Sequence, residues 1–300
     1  MSFLNPVNEP VLRFKSTDAG APQINYNARV AGDVKAVIKA CLVTGYGATA
    51  SAGWSIANEV NHVAEFVSPS VAMSDYRLGI DDTSVSSTTW YYQYQDVRTS
   101  TAISAPPKDF SQADKLSGNN GWQLLVTLRG FYFIEIVQSR AAKDKVARLT
   151  YFGQVKSALS SADTKNMAFW HLGFHSGRGV LAQVLGNKVN QKGYNIAGNT
   201  GLQWSAANLD MLGRSTANWD LSSVEMTADL YLHVDGRFAG QHPGILLQDR
   251  NASSSLFGVY DTTVQSRPVL AVAMTWEVDT LVTQTDQARH ALIYLDYWEY

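Results

Sequence analysis

Trp122-Gln-Leu-Leu-Val-Thr-Leu128 and Phe131-Tyr-Phe-Ile-Glu-Ile-Val137 stand on either side of Arg129-Gly130. Two runs rich in β-branched and aromatic residues, separated by a short break that contains glycine, read as a β-hairpin. It is the clearest hairpin in the chain, and the reading extends outward from it. Arg148-Leu-Thr-Tyr-Phe-Gly153 and Met167-Ala-Phe-Trp-His-Leu172 continue the sheet. Upstream, Tyr76-Arg-Leu-Gly-Ile-Asp81 runs into a turn composition, Asp81-Asp82-Thr83-Ser84, and Trp90 to Arg98 forms a partly alternating strand. A last β block comprises Ala228 to Val234, a turn at Asp235-Gly236, Gly244 to Leu247, Val269 to Trp276 and Leu292 to Trp298. The expected fold is therefore mainly β (α+β), with antiparallel sheets in a sandwich or barrel-like core.

One segment has a different period. Val34, Val37, Ile38, Cys41 and Leu42 recur at helical spacing, Asp33 after Gly32 offers an N-cap, and Gly45 and Gly47 close the run. This predicts one N-terminal amphipathic helix over about residues 33–44, with Lys35 and Lys39 on its polar side. Ahead of it, Pro6, Pro10 and Pro22 deny regular helix to residues 1–30, which read as an extended arm with a short strand at Val11, Leu12 and Phe14. Residues 31–300 then form the β-rich domain, with a subdivision near residue 160 left open. Residues 104–121 hold Pro106, Pro107, Gly118, Asn119, Asn120 and Gly121 and read as a long exposed loop. Loops of that length tend to bind partners. Residues 176–223, rich in Gly, Asn and Ser, read as irregular surface structure with short strands.

Composition bounds the function. Of 300 residues, 45% are hydrophobic and only 17% charged, with a formal net charge of −2. Phosphate binding needs a local excess of Lys and Arg. The densest basic stretch, Arg140 to Arg148, is diluted by Asp144, alanines and a valine, so no nucleic-acid partner is expected. A single cysteine, Cys41, rules out an intrachain disulfide framework and any Cys-based zinc cluster. It lies on the apolar face of the predicted helix and reads as a small buried hydrophobe. The first residues lack the basic flank and apolar core of a signal peptide, and the longest fully apolar stretch, Val269 to Met274, is too short to span a bilayer.

The candidate chemical groups each have a plainer account. His171 and His175 have the spacing of a helical metal pair, but they sit in a strand-like stretch, where residues four apart stand ~13 Å from one another at ~3.3 Å per residue. Gly177-Arg-Gly179 and Gly186 lack the Lys-Ser/Thr and the βαβ context of a phosphate loop. Asp81 and Asp82, near Trp90, Tyr91 and Tyr92, suggest a glycosidase pair, yet adjacent residues point in different directions. No Gly-x-Ser-x-Gly elbow occurs. No catalytic residue, cofactor or metal ligand is assigned.

The order of short motifs resembles a group of tailed-phage and prophage proteins encoded among tail and other virion genes. The stretch Val11-Leu-Arg-Phe-Lys-Ser-Thr-Asp-Ala-Gly-Ala-Pro-Gln-Ile24 and the helix ending Ala40-Cys-Leu-Val-Thr-Gly-Tyr-Gly47 are similar to that group's opening. Ala52-Gly-Trp54, Tyr76-Arg-Leu-Gly-Ile-Asp-Asp82, Arg129-Gly-Phe-Tyr-Phe133, Tyr151-Phe-Gly-Gln-Val155 and Val234-Asp-Gly-Arg-Phe-Ala-Gly-Gln-His-Pro-Gly-Ile-Leu246 follow in the group's order. The chain departs from the group by lacking an inserted β module before Ala52, which removes any adhesive role such an insert would supply.

The resemblance implies a structural subunit of a tailed-bacteriophage virion, in the tail, baseplate or neck/collar. Such a subunit is made in the host bacterial cytoplasm and acts as a homo-oligomer through packing rather than as an enzyme. Its expected partners are other copies of itself and neighbouring virion proteins, with no nucleic acid and no membrane. A receptor- or glycan-binding module of the phage tail, using the Trp/Tyr-rich strands, is the alternative. The C-terminal segment His290 to Tyr300 is apolar on both faces, with Leu292, Tyr294 and Trp298 on one and Ala291, Ile293, Leu295 and Tyr297 on the other. Such a strand is either central in its own sheet or covered by a neighbouring subunit. Leu292, Ile293, Tyr294, Tyr297 and Trp298 are thus candidate interface residues, together with Pro106 and Pro107 of the loop.

Overall fold

A computed structural model describes residues 6–24, 30–74, 76–83, 91–96, 101–102, 121–138, 145–157, 167–172, 194–195, 207–211, 226–234, 237–249, 259–274 and 289–300. From the N-terminus come β1 (Asn8–Pro10), β2 (Leu12–Lys15), α1 (Asp33–Lys39) and a π-helical continuation (Ala40–Thr44). A first meander holds β3 (Ser55–Val60), β4 (Val63–Val67), β5 (Tyr76–Asp81), β6 (Tyr91–Asp96) and β7 (Thr101–Ala102). The middle of the chain supplies β8 (Trp122–Thr127), β9 (Gly130–Gln138), β10 (Lys145–Gln154), β11 (Lys156–Ser157), β12 (Met167–Leu172) and β13 (Tyr194–Asn195). Then follow β14 (Ala207–Met211), β15 (Met226–Val234), β16 (Arg237–Asp249) and β17 (Val259–Val264). β18 (Arg267–Met274), β19 (Arg289–Tyr294) and β20 (Tyr297–Glu299) complete the described strands.

These strands form three main sheets, ordered β3-β4-β5-β6-β7, β13-β12-β10-β9-β8-β2 and β14-β15-β16-β19-β18-β17, with β11 added to β16 and a separate β1-β20 pair. Among the described residues every pairing is antiparallel and no sheet closes on itself, so the mainly β reading holds as stacked open sheets rather than a barrel. β10 and β12, which flank residue 160, pair within one sheet.

The predicted hairpin is β8–β9, with its turn one residue earlier than the sequence placed it. Thr127 pairs with Gly130, which leaves Leu128 and Arg129 as the turn. Gly130 is needed for a different reason. It faces Gly153 of β10, and a Cβ on it would lie 2.8 Å from the Gly153 Cα. The two glycines let the strands touch where neither side chain would fit.

This sheet is the middle layer. Trp122, Leu124, Val126, Phe131, Phe133 and Phe152 point into a core shared with the helix and with Ala64, Phe66, Leu78 and Ile80 of β4 and β5. Leu125, Tyr132, Ile134, Leu149 and Tyr151 point the other way, against Ile245, Leu246, Val269 to Val272 and Ala291 to Ile293. The period of two in β8 and β9 thus sorts residues between two cores, not between core and water.

The helix occupies the predicted span, with its last turn widened to π geometry. Val34, Val37, Ile38, Cys41 and Leu42 are all fully buried. Its N-cap differs from expectation. Gly32 holds the cap position with a left-handed φ of 88°, and Asp33 is already helical. Asp82, fully buried at the end of β5, accepts bonds from the backbone N–H groups of Val34 (2.8 Å) and Lys35 (3.1 Å). Lys35 is a further correction, because it is only 8% exposed rather than solvated. Its ammonium bonds the Asn61 carbonyl and one oxygen of Glu59 (2.8 Å), while Lys39 takes the other oxygen (2.7 Å). The two lysines hold the Glu59 carboxyl below the usual range, Lys35 first.

Both ends of the described residues are tied together. β1 pairs with β20, Val7 and Tyr300 exchange backbone hydrogen bonds of 3.0 Å, and β2 is the edge strand beside β8. Within the described residues the extended arm carries a short strand where one was expected, β2, and a second pairing with β20. β19 lies between β16 and β18, the first of the two positions its sequence allowed. Leu292, Ile293, Tyr294 and Trp298, read as candidate intersubunit contacts, are buried against the chain's own core instead. A strand flanked on both sides and covered on both faces has no surface left for a neighbour. Pro106 and Pro107 lie outside the described residues.

Two consequences follow for stability. Leu292, Ile293 and Trp298 alone bury roughly 1.5–3 kcal/mol each, against a total of about 5–15 kcal/mol for a domain. Removal of residues 291–300 should therefore yield insoluble protein, and a soluble, folded truncation on size exclusion and circular dichroism would refute the central placement of β19. Asp82→Ala should cost about 1–3 kcal/mol in urea unfolding by uncapping the helix. Asp81→Ala, at the partly exposed last residue of β5, should cost under about 1 kcal/mol, and equal effects at the two positions would count against the cap.

Candidate functional site

The apolar run of β16 is interrupted by His242-Pro243-Gly244, and the interruption shapes a cleft with mixed polar lining. Pro243 has no backbone N–H to give a ladder, and Gly244 adopts a left-handed φ of 68°. A Cβ on Gly244 would stand 1.9 Å from Cδ1 of Trp298. The indole thus packs directly on bare backbone, and its Nε1 donates to the Tyr294 carbonyl at 3.0 Å. The Tyr132 hydroxyl crosses from the middle sheet to donate to the Pro243 carbonyl at 2.8 Å.

The cleft, of about 190 Å³, opens between this bulge and Lys156, Arg267, Tyr294, Tyr297 and Glu299. Arg267 is locked in place. Its guanidinium carbon lies 3.7 Å from the Tyr294 ring centroid and 3.9 Å from that of Tyr297. Two parallel bonds of 2.9 and 2.7 Å reach the Asp296 carboxylate, and a third reaches the Tyr297 carbonyl. Arg267 thereby holds Asp296 below the usual carboxylate range. Lys156 pairs with Glu299 at 3.0 Å. Each cation of the cleft meets a carboxylate, so the lining is polar but close to neutral. Planar bidentate pairing stacked between rings orients a surface well, and it leaves the guanidinium little freedom to act on a substrate. Tyr297, the remaining candidate interface residue of the C-terminal segment, is half-buried here as one wall of that stack.

His242 is fully buried, edge-on to the Tyr151 ring at 5.3 Å, and burial lowers its pKa to about 3. It is neutral at any physiological pH. Burial likewise raises the phenol pKa values of Tyr132 and Tyr151. A second polar junction sits at the hairpin turn. Arg129 donates to Glu9 at 2.5 Å and to Gln154 at 3.2 Å, and it lies over the Tyr300 ring, whose hydroxyl bonds Thr127 at 2.8 Å. Both junctions join strands far apart in sequence, and neither presents a nucleophile beside a base.

The groups weighed from sequence do not converge. Asp81 and Asp82 diverge, the former accepting bonds from the N–H and hydroxyl of Thr83, the latter turned inward on the helix. His171 stands opposite Thr150 on β12, whereas His175, Gly177, Gly179 and Gly186 lie outside the described residues. Tyr91 and Tyr92 pair in register with Asp81 and Ile80, and Trp90 lies outside the described residues. Cys41 is buried in the helix core, which pushes its thiol pKa up, aided by the charge of Asp18. Among the described residues no group of three or more His, Cys, Asp or Glu side chains is arranged to hold a metal ion. Sequence reasoning missed Arg267, Lys156 and His242. The available signal was the Pro-Gly pair interrupting an apolar strand.

The buried imidazole sets a pH dependence. In the unfolded chain His242 titrates near 6.5, and in the folded chain only near 3, so folding excludes a proton between those values. Stability from the neutral ring is fully present above about pH 6.5 and falls by roughly 1.4 kcal/mol for each pH unit below it. The carboxylates of Asp261, Asp296 and Glu59, lowered by their cationic partners, lose their contribution only at more acid pH. His242→Gln should flatten the slope of unfolding free energy between about pH 6.5 and 4.5 by close to one proton. An unchanged slope would refute the buried neutral ring.

No protein-family model, curated protein or solved structure matches the chain.

Proposed function

We propose that the chain is a structural subunit of a tailed-bacteriophage virion and acts through packing rather than chemistry. The observation that supports this is where the residues carrying the resemblance sit. Phe14, Cys41, Leu42, Trp54, Leu78, Ile80, Phe131, Phe133, Tyr151 and Phe152 are core side chains. Gly45, Gly47, Gly53 and Gly244 hold left-handed backbone, and Gly130 and Gly153 allow a close strand approach. Motif residues of an enzyme gather around a reacting atom. Here they are spread over turns and two cores, which is what preservation of a shape requires. The pairing of β1 with β20 supports the same reading, because it ties strands far apart in sequence into one fixed shape.

The test is direct. Purified particles of a phage that encodes the chain should contain it at fixed copy number by mass spectrometry, and antibody against it should label one defined part of the particle in electron micrographs. A nonsense mutation in its gene should leave particles incomplete or non-infectious. Absence of the chain from particles, or normal particles without it, would overturn the proposal.

A further inference from the structure

Sheet edges are the surfaces of this molecule that remain chemically unfinished, and they are not alike. β3 is broken by a bulge at Ala57, between the pairs Ile56–Phe66 and Asn58–Glu65, and its Glu59 draws two lysines over it. β2 is four residues long and carries Arg13 and Lys15. Bulges, short length and charge are the usual devices that stop an edge from pairing further. β17 has no bulge, and its six residues make it longer than β2. Its six residues, Val259 to Val264, run in unbroken register with Val272 to Arg267 of β18, and no strand lies on its other side among the described residues. Asp261, Thr262 and Thr263 are exposed. The strand contains no proline, and its composition strongly favours a ladder. Its single charge, Asp261, is answered by a bidentate bond from Arg13 at 2.7 and 2.9 Å.

We infer that β17 is the edge through which two copies of this chain pair, antiparallel about a two-fold axis at Thr262, so that their seven-stranded sheets become continuous. The register follows from backbone geometry and side-chain chemistry. In an antiparallel ladder, residues directly opposite both turn their backbone groups toward the partner or both turn them away. A two-fold axis between identical strands must therefore pass through a residue, not between two. An axis at Asp261 opposes two carboxylates, which is unfavourable. An axis at Tyr260 sets Asp261 against Val259, and one at Thr263 runs the ladder into the turn, where Gln265 and Ser266 have positive φ.

The axis at Thr262 matches over residues 260–264, and only the end residue Val259 falls opposite the turn residue Gln265. Thr262 faces its own copy, Asp261 faces Thr263, and Tyr260 faces Val264. Tyr260 and Val264 are both partly buried against the inter-sheet core. Threonine pairs and aromatic–β-branched pairs are the cross-strand combinations that stabilise a ladder. This self-complementarity selects a second copy over an unrelated strand. The inference concerns how two copies meet and does not depend on the virion proposal.

Cysteine crosslinking of the full-length protein tests it on a clean background, because native Cys41 is fully buried. Thr262→Cys should form a covalent dimer under mild oxidation. Val71→Cys, at a site 86% exposed and far along the chain, should remain monomeric under the same conditions and reports random collision. Thr262→Lys places two ammonium groups face to face and should weaken dimerisation of otherwise native protein by about fivefold or more in light scattering. Wild-type protein that stays monomeric at every concentration, or crosslinking at residue 262 no faster than at residue 71, would overturn the inference. A β17 dimer absent from particles would instead sink the virion proposal alone, and a monomer present in particles would do the reverse.

Discussion

The hairpin β8–β9 has no solvent face, and the rest of the structure is arranged around that constraint. Phe131 and Phe133 must enter one core while Tyr132 and Ile134 enter the other. A slip of one residue would exchange the sets and carry the Tyr132 hydroxyl to the side beneath the helix, away from its acceptor at the Pro243 carbonyl. An unmatched buried hydroxyl costs about 1–3 kcal/mol, so hydrogen bonding and shape choose the same register. The Gly130–Gly153 contact pins β9 to β10 in that register as well.

A middle layer of this kind needs two covers, and the chain makes each from residues distant in sequence. One cover is the helix with the first meander, oriented by Asp82, whose carboxylate sits on the helix N-terminus where backbone N–H groups and the helix dipole both favour negative charge. The other is the C-terminal sheet, held by Trp298 seated on Gly244. Around the borders run ion pairs that join strands across the layers. Arg13 reaches Asp261, Arg129 reaches Glu9, and Lys156 reaches Glu299. Exposed pairs add little stability. The Glu9–Arg129 pair is largely buried and carries further bonds to Leu128 and Gln154, so its geometry fixes where the N-terminal strap crosses the hairpin.

What the sequence made legible was local. Helical spacing located residues 33–44, and the alternation around Arg129-Gly130 located the hairpin, because both signals are complete within a dozen residues or so. The two-faced apolar pattern of Leu292 to Trp298 demanded coverage on both sides, but pattern alone could not say whether a second chain supplied it. Apart from the one-residue shift of the hairpin turn, the misreadings are long-range. Asp33 looked like the cap because Asp82, the actual one, is 48 residues from Val34. Lys35 looked solvated because its partner Glu59 lies on another element. The pairing of the arm with β20 could not be read because β20 stands at the far end of the sequence. The cleft was invisible for the same reason, being assembled from five strands.

The covers also determine where the molecule can still interact. In a sandwich of two sheets, an outer face or an inner groove is commonly left for a ligand. Here the middle sheet spends both faces, the helix is capped and packed, and the mixed cleft beside the His-Pro-Gly bulge has its cations neutralised in place. Backbone hydrogen-bonding capacity then remains chiefly at the ends of sheets. Among the described residues, β3 is guarded by a bulge and β2 by its shortness, while β17 presents an unbroken strand whose one charge is matched. A fold that closes its faces and leaves an edge open is suited to joining strand to strand, and the ladder fixes both the distance and the angle between the copies it joins.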